Sequence, residues 1–399
     1  MQIQTSVEND WRAELSKIPI PISVKNDSLL MISLETLANG GRISKNLGID
    51  LHEDAALPGL TALALMIKQA RFGKRVFFNE NLHVNTTNVC SLACRFCAFR
   101  KGPRHSDAYS LTSQEFVSRI EPYRHIVDEV HAVGGLHPEW TIHNYLEIFE
   151  LTKRNYPDIS IKSLTAVEVK HIANRSQLSI RETLTSLKKS GLNSLPGGGA
   201  EILVDSIRDR ICMGKETSSE YLQIHEIAHD LGIPTNCTML FGTIETTDDR
   251  MTHLDKIRIQ QDSSGGFQCF VPYPFLEDNT RLPEANLASA EEIIRVIALS
   301  RIMLDNVPHI KAYRMNIGDH LASIAINSGA DDIDGTVGHE EIMHVAGSTT
   351  SLDYDGFRLA RLIASSGQEP VKRDSTYTRF ESIDLEPSSQ MKTLPIIGQ

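Results

Sequence analysis

Between residues 83 and 335 the sequence alternates short β-prone segments with helical ones, which restricts the chain to parallel strands joined by crossover helices. The strand candidates are 83–89, 129–134, 159–166, 192–196, 235–241, 268–274, 309–316 and 331–335. Helices are expected over 112–124, 142–155, 180–189, 216–231, 284–303 and 319–329. About eight strands in about 250 residues predict an α/β fold, a (β/α) barrel of the TIM type. Residues 1–80 read as mainly helical, with apolar runs at 29–34 and 60–70, the second stopped at Phe72-Gly73. This N-terminal helical region is expected to pack on one end of a barrel over 81–348. Residues 349–399 form a polar, proline-containing C-terminal extension that either stays partly mobile or docks across a site.

Chemistry in such barrels sits at the carboxyl ends of the strands. The first expected strand runs directly into Cys90, Cys94 and Cys97, a C-x3-C-x2-C run. Soft iron favours thiolate ligands, and an electron-transfer [4Fe–4S] cluster uses four of them. Three thiolates leave one iron without a protein ligand, and an open metal position takes a small molecule. S-adenosylmethionine, chelating through its amino and carboxylate groups, meets that requirement. Two other readings stand beside this one. The cysteines are compatible with a partial zinc site completed by a distant histidine, although a second pair of ligands at zinc spacing is absent. They are also compatible with buried core thiols.

Charge narrows the partners. The balance of 40 basic and 51 acidic residues gives a net charge of -11, which offers no footprint for nucleic acid or an anionic membrane. A small-molecule substrate and a reductant are expected instead. Six cysteines in 399 residues are too few for a disulfide scaffold, and three of them cluster where reduced thiols are needed. The first residues lack the regions of a signal peptide, and there is no long uncharged apolar run. The expectation is a cytoplasmic enzyme with no membrane insertion.

Other segments carry more than one reading. Gly134-Gly135 follows the second strand, where missing side chains suit either ligand approach to the backbone or a turn needing positive φ. Glu168 is placed to accept from a ribose diol or to favour a helix start. The 196–201 segment, Pro-Gly-Gly-Gly-Ala-Glu, is either a ligand-wrapping loop or a flexible turn, and it lacks the ending of a phosphate loop. His225-Glu226-Ile-Ala-His229 matches H-E-x-x-H, yet it runs into Leu231-Gly-Ile-Pro234, an ordinary helix stop. Arg314, Asn316, Asp334, Thr336, His339 and His344 gather near the last two strand ends, where Arg or His would suit a carboxylate and Asp334 or Thr336 would suit a helix cap.

The stretches Asn85-Thr-Thr-Asn-Val-Cys-Ser-Leu-Ala-Cys-Arg-Phe-Cys-Ala-Phe99, Gly134-Gly-Leu-His-Pro138, Ile161-Lys-Ser-Leu-Thr-Ala-Val-Glu168, Leu195-Pro-Gly-Gly-Gly-Ala-Glu201 and Asp331-Asp-Ile-Asp-Gly-Thr336, with the following His339 and His344, resemble the radical S-adenosylmethionine superfamily. Within it they are most similar to the aminofutalosine synthase family of the futalosine route to menaquinone. The dehypoxanthine futalosine cyclase and deazaflavin synthase families share the cysteine motif. The resemblance covers residues 55–348. It implies a radical S-adenosylmethionine barrel whose [4Fe–4S] cluster is held by Cys90, Cys94 and Cys97. It further implies that Gly134 and Gly135 border S-adenosylmethionine and that Glu168 faces its ribose. Arg314, His339 and His344 become candidates for holding 3-[(1-carboxyvinyl)oxy]benzoate, and no side chain is assigned a catalytic role. The implied reaction adds the 5′-deoxyadenosyl radical to the enolpyruvyl double bond, with S-adenosylmethionine as substrate and a low-potential electron donor such as flavodoxin or ferredoxin.

Overall fold

Helix after helix in this chain opens on the same local signal, a Ser or Thr followed three residues later by an acid. Thr112–Glu115, Thr165–Glu168, Ser179–Glu182, Thr217–Glu220 and Thr246–Asp249 all close reciprocal capping boxes. Each box satisfies backbone N–H groups that would otherwise be orphaned where a crossover helix begins. The structure, a computed structural model, describes residues 10–385 apart from Tyr354 and Asp384. The outermost termini, including the Pro395-Ile-Ile-Gly-Gln399 ending and the first residues, lie outside the described residues.

The strands are β1 (Arg75–Phe78), β2 (Asn81–His83), β3 (Glu129–Ala132), β4 (Ser160–Ser163), β5 (Leu192–Ser194), β6 (Thr235–Phe241), β7 (Phe267–Pro274), β8 (His309–Ala312), β9 (Asp332–Ile333), β10 (Glu369–Arg373) and β11 (Phe380–Ser382). Two parallel arcs, β2-β3-β4-β5 and β6-β7-β8-β9, make a (β/α) barrel-like fold. The arcs meet at two seams of single bridges, Leu195 with Thr235 and Asn81 with Thr336. Backbone bonds hold those seams, from Asn236 N to Leu195 O at 3.0 Å and from Val337 N to Asn81 O at 3.0 Å. Among the described residues no helix is long and apolar enough to cross a membrane.

Most strands stop sooner than the sequence suggests, because the carboxyl-end segments spend their backbone groups on loops. Thr87 and Val89 bridge to Ser110 and Lys101 instead of continuing β2. The 309–316 segment leaves the sheet after Ala312, so Arg314 and Asn316 occupy the first turn of the helix Arg314–Ala325. The expected helix over 284–303 starts only at Ala290, where the Ser289 side chain caps it. The crossover helix Thr247–Ser264 has no counterpart among the expected helices, because its buried face interleaves Arg250, His253, Arg258 and Gln261 with Met251, Leu254 and Ile257. That mixture erases the apolar stripe on which periodicity depends.

The first helices pack outside the barrel, with Leu57–Phe72 against the crossover helix Ala290–Met303. At the other end of the chain, β10 pairs parallel with β1, and residues 373–377 enter the amino-terminal end of the barrel. There Arg373 pairs with Asp332 at 2.5 Å, Lys311 with the same carboxylate at 2.8 Å, and Lys162 with Glu129 at 2.9 Å. Ser375 donates to Glu129, the Tyr377 hydroxyl donates to Asp332 at 2.9 Å, and the Tyr377 ring stacks on His309 at 4.2 Å. Burial works against the Asp332 charge, yet Arg373 and Lys311 hold its pKa well below the usual range. Removing it strands two buried cations. Asp332→Ala is therefore expected to cost about 3–5 kcal/mol in denaturant unfolding. A loss under about 1 kcal/mol, the size of a surface pair, would mean that the C-terminal segment is anchored by something else.

Candidate active site

One large cavity opens at the carboxyl ends of the strands, and Cys90, Cys94 and Cys97 all line it. Their loop is tied to three neighbours by backbone contacts. Ser91 N donates to Leu136 O at 2.9 Å, Arg95 N to Ile211 O at 2.8 Å, and the Arg281 guanidinium to Ala93 O at 2.8 Å. Arg95 returns the favour, donating to Arg281 O and forming a two-bond pair with Glu284 at 2.6 and 2.7 Å. Such fixed backbone geometry orients three thiols before any metal arrives.

All three thiols are free of disulfides. Burial pushes the Cys94 thiol up to about 12, against the pull of Lys215, and raises Cys97 as well. Thiolates are the ligand form, and a bound cation favours them where burial opposes their charge. Among the described residues no three His, Cys, Asp or Glu side chains converge on a site for a single ion. Three thiols spread along one cavity wall fit a multi-iron cluster, whose ligands attach to different metals.

The two glycines have a reason that neither sequence reading anticipated. A Cβ on Gly135 would lie 2.3 Å from Val89 O and 3.0 Å from Cys90 Cβ, and one on Gly134 would lie 2.5 Å from Thr86 Oγ1. Neither residue has a positive φ. They are glycines because the cysteine loop rests directly on their backbone, while both still line the cavity. Gly134 N donates to Glu168 Oε1 at 2.9 Å, and the other Glu168 oxygen accepts from Thr165 N and Oγ1, both at 2.7 Å. Glu168 is thus a helix cap and a cavity wall together. Burial lifts its pKa to about 7 despite those donors.

The 196–201 loop is fixed in place. Gly197 has φ of 83° and sits so close to β6 that a Cβ would meet Asn236 O at 2.2 Å. Buried Arg208 donates to the carbonyls of Gly199 and Ala200. Glu201 pairs with Lys215, whose ammonium also lies 5.4 Å over the Phe96 ring. Burial alone would lower the Lys215 pKa, but the Glu201 carboxylate holds it above the ordinary value. Lys215 is a cavity-wall cation that the sequence reading missed.

The structure does not bring Arg314, His339 or His344 to the cavity wall. Arg314 is fully buried and donates to Ser351 O, Thr336 O and Asp319, each at 3.1 Å. His339 Nδ1 donates to His83 O at 3.0 Å, and His344 bonds Glu340 O and Thr350 O. Facing the cavity instead are His83, His131, Tyr273, Tyr313 and Glu340, together with Asn316, which the sequence grouped with the polar residues near the last strand ends. For the two histidines the sequence signal was alternation: polar Asn81 and His83, like Glu129 and His131, recur at period two, which marks an inward face in a strand. His225 and His229 lie elsewhere. Both bond Thr235 Oγ1 at the start of β6, at 2.9 and 2.8 Å, and their pKa values are lowered by burial. They are a structural pair at the end of the barrel opposite the thiols.

Gly135→Ala tests whether this contact sets the cysteine geometry. The added methyl must displace Val89 and Cys90, so the variant is expected to retain less than about a tenth of the wild-type iron and sulfide after anaerobic reconstitution, a misplacement penalty of the size seen when metal-ligand supports are lost. Full iron and sulfide content in a folded variant would show that the loop does not depend on it.

Comparison with known proteins places this geometry. Residues 84–257 match the Radical SAM superfamily, and residues 264–385 match the CofH/MqnC C-terminal region. Aminodeoxyfutalosine synthase from Thermus thermophilus is 36% identical over 88% of this chain and 96% of its own length. The 5-amino-6-(D-ribitylamino)uracil–L-tyrosine 4-hydroxyphenyl transferase of Methanothermobacter thermautotrophicus is 34% identical over 82% of this chain and 91% of its own. In fold, the FeFe-hydrogenase maturase HydG from Carboxydothermus hydrogenoformans superposes with a TM-score of 0.70 at 16% identity, covering 92% of this chain and 84% of that one. Membership implies S-adenosylmethionine binding and an iron–sulfur cluster at the cysteine motif. With its thiol wall, its barrel-like fold and these relatives, the chain belongs to the radical S-adenosylmethionine superfamily and is a homologue of the aminodeoxyfutalosine synthases.

Proposed function

We propose that the chain is an aminodeoxyfutalosine synthase of menaquinone biosynthesis. It joins the 5′-deoxyadenosyl group of S-adenosylmethionine to the enolpyruvyl double bond of 3-[(1-carboxyvinyl)oxy]benzoate and takes up one water, giving 6-amino-6-deoxyfutalosine, methionine and bicarbonate with no net oxidation or reduction. The supporting observation is the 36% identity to the Thermus thermophilus synthase, sustained over 88% of the chain. A [4Fe–4S] cluster on Cys90, Cys94 and Cys97 supplies, when bound, the electron that cleaves S-adenosylmethionine into methionine and the adenosyl radical.

The chain's own residues bind, orient and shield. Gly134 and Gly135 let the methionine part approach their backbone, Glu168 faces the ribose, and Lys215 offers a cation beside the thiols. Arg314, His339 and His344 act from behind the wall, holding the carbonyls of Thr336, His83 and Thr350. We read the two strand arcs as one closed barrel of the TIM type, sealed at its amino-terminal end by residues 373–377. Excluding water there protects a radical, and fixed walls matter because a displacement of about 1 Å can cost about a hundredfold in rate. The electron comes from an external low-potential donor such as flavodoxin or ferredoxin, and the free thiols suit the reducing cytoplasm.

A second reading is a hydrogen-abstracting sister enzyme, a dehypoxanthine futalosine cyclase or a deazaflavin synthase-like protein. The match of residues 264–385 to the CofH/MqnC C-terminal region favours it. Product analysis separates the two. Reconstituted protein, reductant and S-adenosylmethionine are expected to convert the enolpyruvyl benzoate into a product that retains the adenosyl carbons, and Cys90→Ser should reduce that product to background. In a parallel assay supplied with dehypoxanthine futalosine, release of those carbons only as free 5′-deoxyadenosine, with a cyclised futalosine derivative as product, would establish the sister reaction instead.

A further inference from the structure

Deeper in the barrel than the thiols, the cavity is bounded by His83 and His131, which are partners in register on β2 and β3. Their rings stack with centroids 4.4 Å apart and planes 15° from parallel. His83 is only 3% exposed, and neither of its ring nitrogens has a hydrogen-bond partner among the described residues. Buried imidazole nitrogens are ordinarily paired, because an unpaired one keeps its full desolvation cost. Here two such nitrogens border a cavity.

The surroundings are balanced around this pair. Glu340, Asp334 and Glu129 favour a charged His83, whereas burial and His339 oppose it. Burial, His83, Lys162 and Lys311 oppose a charged His131. The lysines are already committed, Lys162 to Glu129 and Lys311 to Asp332. Glu340 is engaged too, accepting from Met343 N at 2.9 and 3.0 Å. The stacked imidazoles are therefore uncharged, with donor and acceptor capacity to spare, and an arriving anion would tip one of them into the charged form.

We propose that the His83–His131 stack is the subsite that recognises a carboxylate of the substrate, with one imidazole taking up a proton from solvent as the carboxylate docks. This rests on the functional reading above. The enolpyruvyl carbon must meet the adenosyl group at the thiol end, so the carboxylate on the benzene ring is the one that reaches the histidines. Asn316, whose buried Oδ1 is also unpartnered, and the edge-to-face pair of Tyr273 and Tyr313 at 5.0 Å complete a wall suited to an aromatic acid.

Anaerobic calorimetry on the reconstituted full chain, with S-adenosylmethionine present and no reductant, tests this in two buffers of different ionisation enthalpy. The enolpyruvyl benzoate is expected to bind with uptake of up to about one proton near neutral pH. The phenyl analogue lacking the ring carboxylate should bind the wild-type protein at least tenfold more weakly and without proton uptake, an arm that does not depend on any variant folding. His83→Gln and His131→Gln should each weaken the benzoate at least tenfold and abolish the uptake. Binding of the benzoate with no proton exchange, or equal affinity for the phenyl analogue, would overturn the subsite while leaving the synthase assignment intact. Failure of the wild-type protein to bind the benzoate at all, with no adenosylated product in the parallel assay, would remove both.

Discussion

The contact between residues 86–90 and the Gly134-Gly135 backbone is the constraint on which the site depends. No side chain fits between these segments, because a Cβ on either glycine collides with Thr86, Val89 or Cys90. Gly135 N also donates to Thr87 O at 2.7 Å, fixing the two strand ends against each other. From that contact the loop runs outward to its anchors at Leu136, Ile211 and Arg281. The same backbone reaches inward through Gly134 N to Glu168. One close approach thus couples the thiol wall to the wall proposed for the nucleoside.

Polarity is graded along the barrel interior. At its amino-terminal end, ions are buried in matched sets: Asp332 between Arg373 and Lys311, Glu129 between Lys162 and Ser375. Buried ions are tolerable when paired and hydrogen-bonded, and these depend on a segment that comes from the end of the chain. In the middle stand uncharged imidazoles and phenols. At the carboxyl ends are the three thiols that line the cavity. A ligand entering at the carboxyl ends meets these thiols and imidazoles, while the ions named at the amino-terminal end already have partners.

Much of this was legible in the sequence. Alternating β-prone and helical segments announced the parallel fold, and the cysteine run marked the face where chemistry sits. The expected span of β6 and the helices Ile142–Asn155 and Ile180–Lys189 agree with the structure residue for residue. The misses share a cause: tertiary partners that a local pattern cannot display. Thr247–Ser264 buries arginines and a histidine, so its core face does not read as apolar. β10 and β11 exist because β1 offers an edge far away in sequence. Arg314 has the charge of a carboxylate anchor, but the turn into its helix faces the guanidinium toward Thr336 and Ser351. Composition gives the residue type near a strand end; only the backbone path decides which wall it joins.

The two family matches divide the cavity as they divide the chain. Residues 84–257 contribute the three thiols, both glycines, Glu168 and Lys215, the groups suited to a sulfonium nucleoside and its metal. Residues 264–385 contribute Tyr273, Tyr313, Asn316, Glu340 and Met343, together with the segment that closes the amino-terminal end. The relatives, one named a synthase and the other a transferase, have comparable identity to this chain. In this chain the two walls are separate in structure, since changing an aromatic or hydrogen-bonding group on β7, β8 or the loop after β9 leaves the thiol loop and its glycine bed untouched. His83 and His131 occupy the boundary between the halves, on the strand that closes the seam with Thr336 and on its neighbour. A group placed there borders whatever lies between the thiol wall and the aromatic wall, and that position is what suits the imidazole pair to the carboxylate role proposed for it.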